Sequence, residues 1–189
     1  ALQDQETANY FLDIMAQQSS RLNNIIDDLL VLSRLEQAGA KIETQPVNVT
    51  DIITDVLAGQ SFLAQSKSIS MNYELLPATE VIHLKANPGL MSQALGNIVN
   101  NSVKYCPPGA HVHIQVQRLP ATGEAPLVQI VIEDSGHGIP EQYQQRIFER
   151  FFRVDKGRSR DTGGTGLGLS IVHHIIQLHG GKIRACNRT

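Results

Sequence analysis

The sequence predicts an α+β protein: a two-layer sandwich with helices on one face of a mostly antiparallel sheet, preceded by one long N-terminal helix. Three observations predict it. A stretch without Gly or Pro runs from about Thr7 to Glu36 with apolar residues at helical spacing. Beyond residue 50 the chain switches repeatedly between helical and alternating apolar patterns, the mark of mixed layers around one core. Hydrophobic residues make up 41% of the 189 residues but aromatics only 5%, so Leu, Ile and Val must build that core.

In the first helix Phe11, Met15, Gln18, Leu22, Ile25, Leu29 and Leu32 recur in steps of four and three, a bundle or coiled-coil seam. Ile14, Ile26 and Leu30 widen the stripe, which favours a multi-helix bundle. One helix cannot bury that face alone, so a partner is expected; the alternative is that the stripe packs on the rest of this chain. Ala38-Gly39-Ala40 ends the helix, and residues 39–47, with Pro46, read as a linker. Thr50-Asp51 signals a helix carrying Ile52, Ile53, Val56 and Leu57. Ile69, Met71, Tyr73 and Leu75 alternate as a strand, and Val81 to Lys85 forms a second.

Asn87-Pro88 caps a helix that runs to about Tyr105 and stops before Pro107-Pro108-Gly109. Val112, Ile114 and Val116 predict a third strand, residues 118–126 a surface loop, and Leu127 to Glu133 a central strand. Glu141 to Phe151 reads as helix, and residues 153–165, charged and glycine-rich, as a mobile loop. Leu167 to His179 is a further helix, after which Gly180-Gly181 turns into a strand from Lys182 to Cys186.

Composition narrows the function classes. A net charge of −2 gives no reason to expect nucleic acid as a partner. Cys106 and Cys186 fit neither a metal spacing nor a disulfide framework and read as reduced thiols of a cytosolic protein. No apolar run approaches the roughly 18–20 residues that span a bilayer, and the first residues do not read as a signal peptide, which says little about the parent of a fragment. The chain opens inside a helical pattern without an initiator Met, which predicts a fragment.

Three polar clusters carry chemistry. Gly163-Gly164-Thr165-Gly166-Leu167-Gly168-Leu169 packs glycines before a helix, where unpaired N–H groups suit phosphate oxygens. Upstream, Asp134-Ser135-Gly136-His137-Gly138-Ile139-Pro140 places a carboxylate after a strand. Burying it requires a donor, and the exocyclic amine of adenine is one. Asn97 and Asn101, four residues apart, share a helix face that Lys104 and Tyr105 continue. An amide oxygen suits Mg²⁺, and a lysine places a point charge on phosphates. Each cluster alone has an ordinary alternative, a solvated helix face or an Asp-Ser-Gly turn. Together they predict a nucleotide site.

In this order the clusters resemble the catalytic, ATP-binding part of a bacterial sensor histidine kinase. Asn97 to Tyr105 resembles that family's N box, Asp134 to Pro140 its first glycine box and Gly164 to Leu169 its second. Phe148-Glu149-Arg150-Phe151-Phe152-Arg153 is similar to its phenylalanine box. Leu22 to Glu36 resembles the second helix of the dimerisation and histidine-phosphotransfer domain. The resemblance implies a Bergerat-type ATP-binding fold, with residues 1–38 as that second helix and 48–189 as the catalytic domain. It implies ATP and Mg²⁺ as ligands: Asn101 on the metal, Asn97 in support, Lys104 and Arg153 on phosphates as the catalytic group with Asn101. Tyr105 would lie near ribose or base and Asp134 on the adenine amine. Gly136, Gly138, Ile139 and Phe151 would complete the pocket. Residues 153–166 would be the lid, and Gly164, Thr165, Gly166, Leu167, Gly168 and Leu169 would wrap the triphosphate.

Implied partners are an acceptor-histidine helix, a second protomer in a homodimer, and a response regulator, in a cytoplasmic setting with a parent protein anchored in the inner membrane as an option. Related ATPases of the gyrase and chaperone type carry a water-activating Glu four residues before the metal Asn. Asn97 stands there, and an amide is no general base, so transfer rather than hydrolysis is expected. None of the seven histidines has the acceptor context, so the acceptor is expected outside this chain. Three departures from the family pattern stand out: Ala86-Asn87 for Gly-Asp, Cys106 for a small hydroxyl residue, and a C-terminus lacking a further strand. The competing functions are a non-kinase nucleotide-binding module of the same fold and a pure dimerisation module, the latter leaving everything after residue 87 unexplained.

Overall fold

The computed structural model describes residues 2–37, 42–78, 81–120, 127–154 and 164–187. Helix α1 (Leu2–Leu35) leads into strand β1 (Gln45–Asn48), helix α2 (Val49–Ser66), and strands β2 (Ser70–Leu76) and β3 (His83–Ala86). Helix α3 (Pro88–Tyr105), strands β4 (His111–Leu119) and β5 (Leu127–Asp134), and helix α4 (Gly168–Leu178) follow.

Among the described residues two sheets form where one was expected. β1 pairs antiparallel with β3, while β2, β4 and β5 lie side by side, β2–β4 parallel and β4–β5 antiparallel. The period-two pattern of β4 explains the layering. Val112, Ile114 and Val116 are fully buried against α2 and α3, beneath Ile53, Val99 and Val103. Alternate residues face outward in a polar ladder: Ser70 with His111, His113 with Asn72 at 2.7 Å, Gln115 with Glu74 at 2.7 Å.

Both helices over this sheet start at asparagine caps. Asn87 Oδ1 accepts from the Leu90 N–H at 3.0 Å, as its sequence predicts. For α2 the cap is Asn48 rather than the Thr50-Asp51 pair: its side chain accepts from Thr50 N at 3.1 Å. Asn48 is also the last residue of β1, so 45–47 belong to a strand and not to a linker. The Asn87 N–H donates to His179 Nε2 at 3.0 Å. That nitrogen must therefore accept, and Nδ1–H donates to Ile175 O at 2.7 Å, tying the end of α4 to the start of α3.

A second core joins the last turns of α1 to α3 and α4 through Leu32, Leu35, Ala94, Leu167, Ile171, Val172 and Ile175. The apolar stripe of α1 is therefore divided. Its C-terminal end packs on this chain, while Phe11, Met15, Leu22, Ile26 and Leu30 each stay more than half exposed.

Two predicted elements are absent. Glu141 to Phe151 is not an α-helix but two 3₁₀ turns, Glu141–Tyr143 and Arg146–Phe148. A helix would hold residues 143 and 152 roughly 13 Å apart along its axis. Instead the Tyr143 and Phe152 rings pack at 5.6 Å, with Arg146 over Phe152 at 4.4 Å, and Phe151 takes φ 60° to close the reversal. Lys182 to Cys186 runs without a strand partner among the described residues; Ile183 packs on the second core instead. Of the two loops read from the sequence, residues 121–126 and 155–163 lie outside the described residues.

Candidate functional site

The C-terminal turn of α3 is the floor of the site, and its geometry is set from outside the helix. Lys67, just past α2, donates from Nζ to the carbonyls of Val103 at 2.7 Å, Lys104 at 2.9 Å and Cys106 at 2.7 Å. A cation on the last carbonyls satisfies acceptors the helix leaves open and opposes the negative end of its dipole.

From this turn Lys104 and Tyr105 reach toward the second glycine segment. A methyl group added to Gly164 would lie 2.9 Å from Tyr105 Oη, 3.7 Å from Lys104 Nζ and 3.9 Å from Arg153 Nη2. These three side chains thus converge on one stretch of backbone that only glycine leaves open. Lys104 is half-buried, and burial first, then the charge of Arg153, lowers its pKa below the usual lysine range. Its ammonium also sits 5.7 Å from the Tyr105 ring centre.

The first glycine segment closes over the same turn. Asp134 ends β5 and is exposed, not buried as the strand pattern suggested. Its Oδ1 accepts from the Gly136 N–H at 2.9 Å and its Oδ2 from the Ser102 hydroxyl at 2.9 Å. A side chain on Gly136 would meet Asp134 Oδ1 at 2.7 Å and Cys106 Sγ at 3.0 Å. Burial, then the charge of Asp134 and a hydrogen bond to it, push the Cys106 thiol up to about 11. Gly138 adopts φ 70°, and beyond it Asn187 clips the loop: Ile139 N donates to Asn187 Oδ1 at 2.8 Å, and Asn187 Nδ2 donates to Ile139 O at 2.9 Å.

The remaining predicted residues frame the start of α4. Gly166, at φ 76°, lies against the Phe151 backbone, which donates from Phe151 N to Gly166 O at 2.8 Å; the Phe151 ring is 58% exposed. Thr165 Oγ1 accepts from Leu167 N at 3.1 Å and donates to Asp28 Oδ2 of α1 at 2.7 Å. The Leu167 side chain is fully buried in the second core, and Leu169 packs at its edge. Asn97 Nδ2 donates to Gly168 O at 3.2 Å, so α3 holds α4 directly; Asn101 is half-buried one turn further on. Glu36 pairs with Arg150 and, at 3.0 Å, with His174 Nε2, binding α1 to the phenylalanine segment.

Sequence reasoning missed Lys67, Ser102, Asn187 and Asp28. Ser102 stood inside a recognised segment, where its place one turn before Cys106 was a usable signal. The other three act across long sequence separations and leave no local pattern.

Chemically, this arrangement offers two neighbouring cations, glycine backbone without side-chain cover, and a carboxylate that, with Gly136, Ser102 and Cys106 on it, keeps one lone pair open. That suits a polyphosphate at one end and a hydrogen-bond-donating ring at the other. The donor set fits Mg²⁺ only with help from phosphate oxygens, since among the described residues no group of three His, Cys, Asp or Glu forms a metal cluster.

A family model described as histidine kinase-, DNA gyrase B-, and HSP90-like ATPase matches residues 86–189, more than half of the chain. The chain is 36% identical over 181 residues to the sensor-like histidine kinase SenX3 of Mycolicibacterium smegmatis, an alignment covering 96% of this chain and 45% of that protein. It thus spans less than half the length of that relative. The catalytic domain of histidine kinase ThkA superposes with a TM-score of 0.66 at 27% identity, covering 78% of this chain and 90% of that one. Full-length ShkA, solved in complex with AMPPNP, gives a TM-score of 0.69 at 25% identity, covering 88% of this chain and 33% of that one.

Proposed function

The chain belongs to the histidine kinase-, DNA gyrase B-, and HSP90-like ATPase family, and we propose that it is the catalytic domain of a sensor histidine kinase and binds Mg·ATP. It passes the γ-phosphoryl group to a histidine outside residues 1–189, for onward transfer to a response-regulator aspartate. The observation that carries the reading is the meeting of Lys104 and Arg153 at the Gly164 backbone. Two like charges brought together in a half-buried place repel, and a polyphosphate relieves that cost.

In this reading Asp134 accepts from the adenine amine, Tyr105 borders the base or sugar, and the glycines let backbone approach the phosphates. Lys104 and Arg153 hold the terminal phosphates and oppose charge that develops in transfer. Mg²⁺, held by Asn101 and phosphate oxygens, would neutralise charge on the β- and γ-phosphates. Asn97 works against hydrolysis as the main outcome. Its amide is occupied on Gly168 O and supplies no base for water.

Several histidines do other work: His111 and His113 stand in the sheet ladder, the His173 ring packs on Phe148, His174 pairs with Glu36 and His179 bonds Asn87. Residues 1–38 would serve as the second helix of the dimerisation and phosphotransfer domain, and 48–189 as the catalytic domain. The open half of the α1 stripe would meet the acceptor helix and a second protomer. A cytoplasmic setting follows from the same reading; among the described residues no helix is long and apolar enough to cross a membrane.

Thermal melts with calorimetry test the proposal. Mg·ATP at a hundredfold excess over its Kd should stabilise the fold by about 2.7 kcal/mol. Labelled ATP should mark a separately made acceptor-helix hairpin mixed with this chain, and not the chain alone. Absence of any shift with saturating Mg·ATP refutes the site.

A further inference from the structure

The Asp134 carboxylate is gripped from two elements. The Gly136 N–H holds Oδ1 at 2.9 Å from two residues away, a local turn that by itself does not fix the side chain relative to α3. The Ser102 hydroxyl holds Oδ2 at 2.9 Å from α3, 32 residues away in sequence, and so ties the carboxylate to the rigid helix. Ser102 is 7% exposed. A serine in mid-helix commonly returns its proton to the carbonyl one turn back; Ser102 directs it across the gap to Asp134. Cys106, one turn further along the same helix face, adds a thiol donor, which is a weak one.

Resting on the reading of Asp134 as the contact to the base, we propose that Ser102 is a specificity-determining positioning residue. By tethering Oδ2 it fixes an acceptor-only edge toward the bound ring, so that the site takes a 6-amino purine nucleotide and rejects a 6-oxo one. An ionised carboxylate donates nothing. The 6-amino group of adenine meets its remaining lone pair, whereas the 6-oxo group of guanine sets acceptor against acceptor. Discrimination of this kind depends on a polar edge that cannot turn away, and the Ser102 tether supplies that constraint to an exposed carboxylate. Without Ser102 the carboxylate pivots about its local turn, and water or a rotated oxygen accommodates the wrong base.

The test is calorimetry of the full chain with ATP, GTP and the triphosphate of purine riboside, which lacks the 6-amino group. Wild-type protein should prefer ATP to both. Ser102→Ala should shrink each preference by about tenfold, the loss of one hydrogen bond to a charged group. Affinity for purine riboside triphosphate should stay unchanged, a split that general loosening of the fold does not produce. Alanine favours helix, and the near-isosteric Ser102→Cys, with its weaker donor, should fall between the two and provides a second variant. Unchanged ATP:GTP and ATP:purine ratios in Ser102→Ala overturn the assignment, as does an equal loss for all three nucleotides. A wild-type protein that binds none of them overturns the underlying reading of the site instead.

Discussion

Replacing Lys67 by Met removes the cation that closes α3 while keeping most of the apolar stem. Three carbonyls lose a donor at once, those of Val103, Lys104 and Cys106, held at 2.7, 2.9 and 2.7 Å. A hydrogen bond to a charged group contributes about 1.5–3 kcal/mol. The three do not add, because one ammonium gave up its water shell to make them all. A cation in the last turn of a helix contributes ~0.3–1 kcal/mol, up to ~2 where partly buried. A net loss of about 2–3 kcal/mol follows from these two ranges. For a chain of this size that lowers Tm by roughly 4–12 °C, readable by circular dichroism. Because the contact is part-buried, added salt should change the difference little. Lys104 and Tyr105 ride on the released turn, so Mg·ATP affinity should fall as well. A variant melting within about 1 °C of its parent would show that water satisfies these carbonyls equally well, refuting the capping argument. A lowered Tm with unchanged nucleotide affinity would show that the site does not depend on this turn.

Gly136→Ala places a methyl 2.7 Å from Asp134 Oδ1 and 3.0 Å from Cys106 Sγ, so the carboxylate must move; calorimetry should read at least about a tenfold loss of ATP affinity and a melt lowered by ~1–3 kcal/mol. Burial first, then the charge of Asp27, raise the Asp28 carboxyl pKa above the ordinary 3.8, while the bond from Thr165 works the other way. The folded state therefore favours the protonated acid, and this group's contribution to stability declines as pH rises from 3.8 through the raised value. Asp28→Asn keeps an acceptor for Thr165 and should gain in Tm relative to wild type between pH 4 and pH 7, by paired melts; a constant difference would remove Asp28 from this role. With a thiol pKa of about 11, Cys106 is roughly 0.1% thiolate at pH 8. Iodoacetamide followed by mass spectrometry should mark exposed Cys186 first, and prompt labelling of Cys106 would contradict its burial.

What could be read from the sequence was whatever a local pattern encodes. Asn87-Pro88 announced α3 because a cap and a first-turn proline act within four residues. Val112, Ile114 and Val116 announced β4 because burial of one sheet face imposes a period of two. Glu141 to Phe151 misled because the segment reads as a helix, while ring packing of Tyr143 on Phe152 decides the backbone. The pattern of Lys182 to Cys186 was strand-like, yet a strand exists only through its neighbour. At the site, glycines and amides were legible as types. The donors that aim them were less so: Lys67 and Asn187 act from other elements with nothing in their own neighbourhoods to announce it, while the place of Ser102 one turn before Cys106 was a signal left unread.

The Asn187 clip also bears on the order in which the molecule assembles. Its two bonds to Ile139 span 48 residues, so they close a long loop whose entropic cost, on the order of 3 kcal/mol, must be met by contacts already in place. During synthesis the ribosome has delivered Asp134, Gly136 and both cations well before it reaches position 187. A nascent chain paused short of that point already has the tethers from His111 to Ser135 and from Gln144 to Ile139, and still lacks the clip that pins Ile139 from the far side.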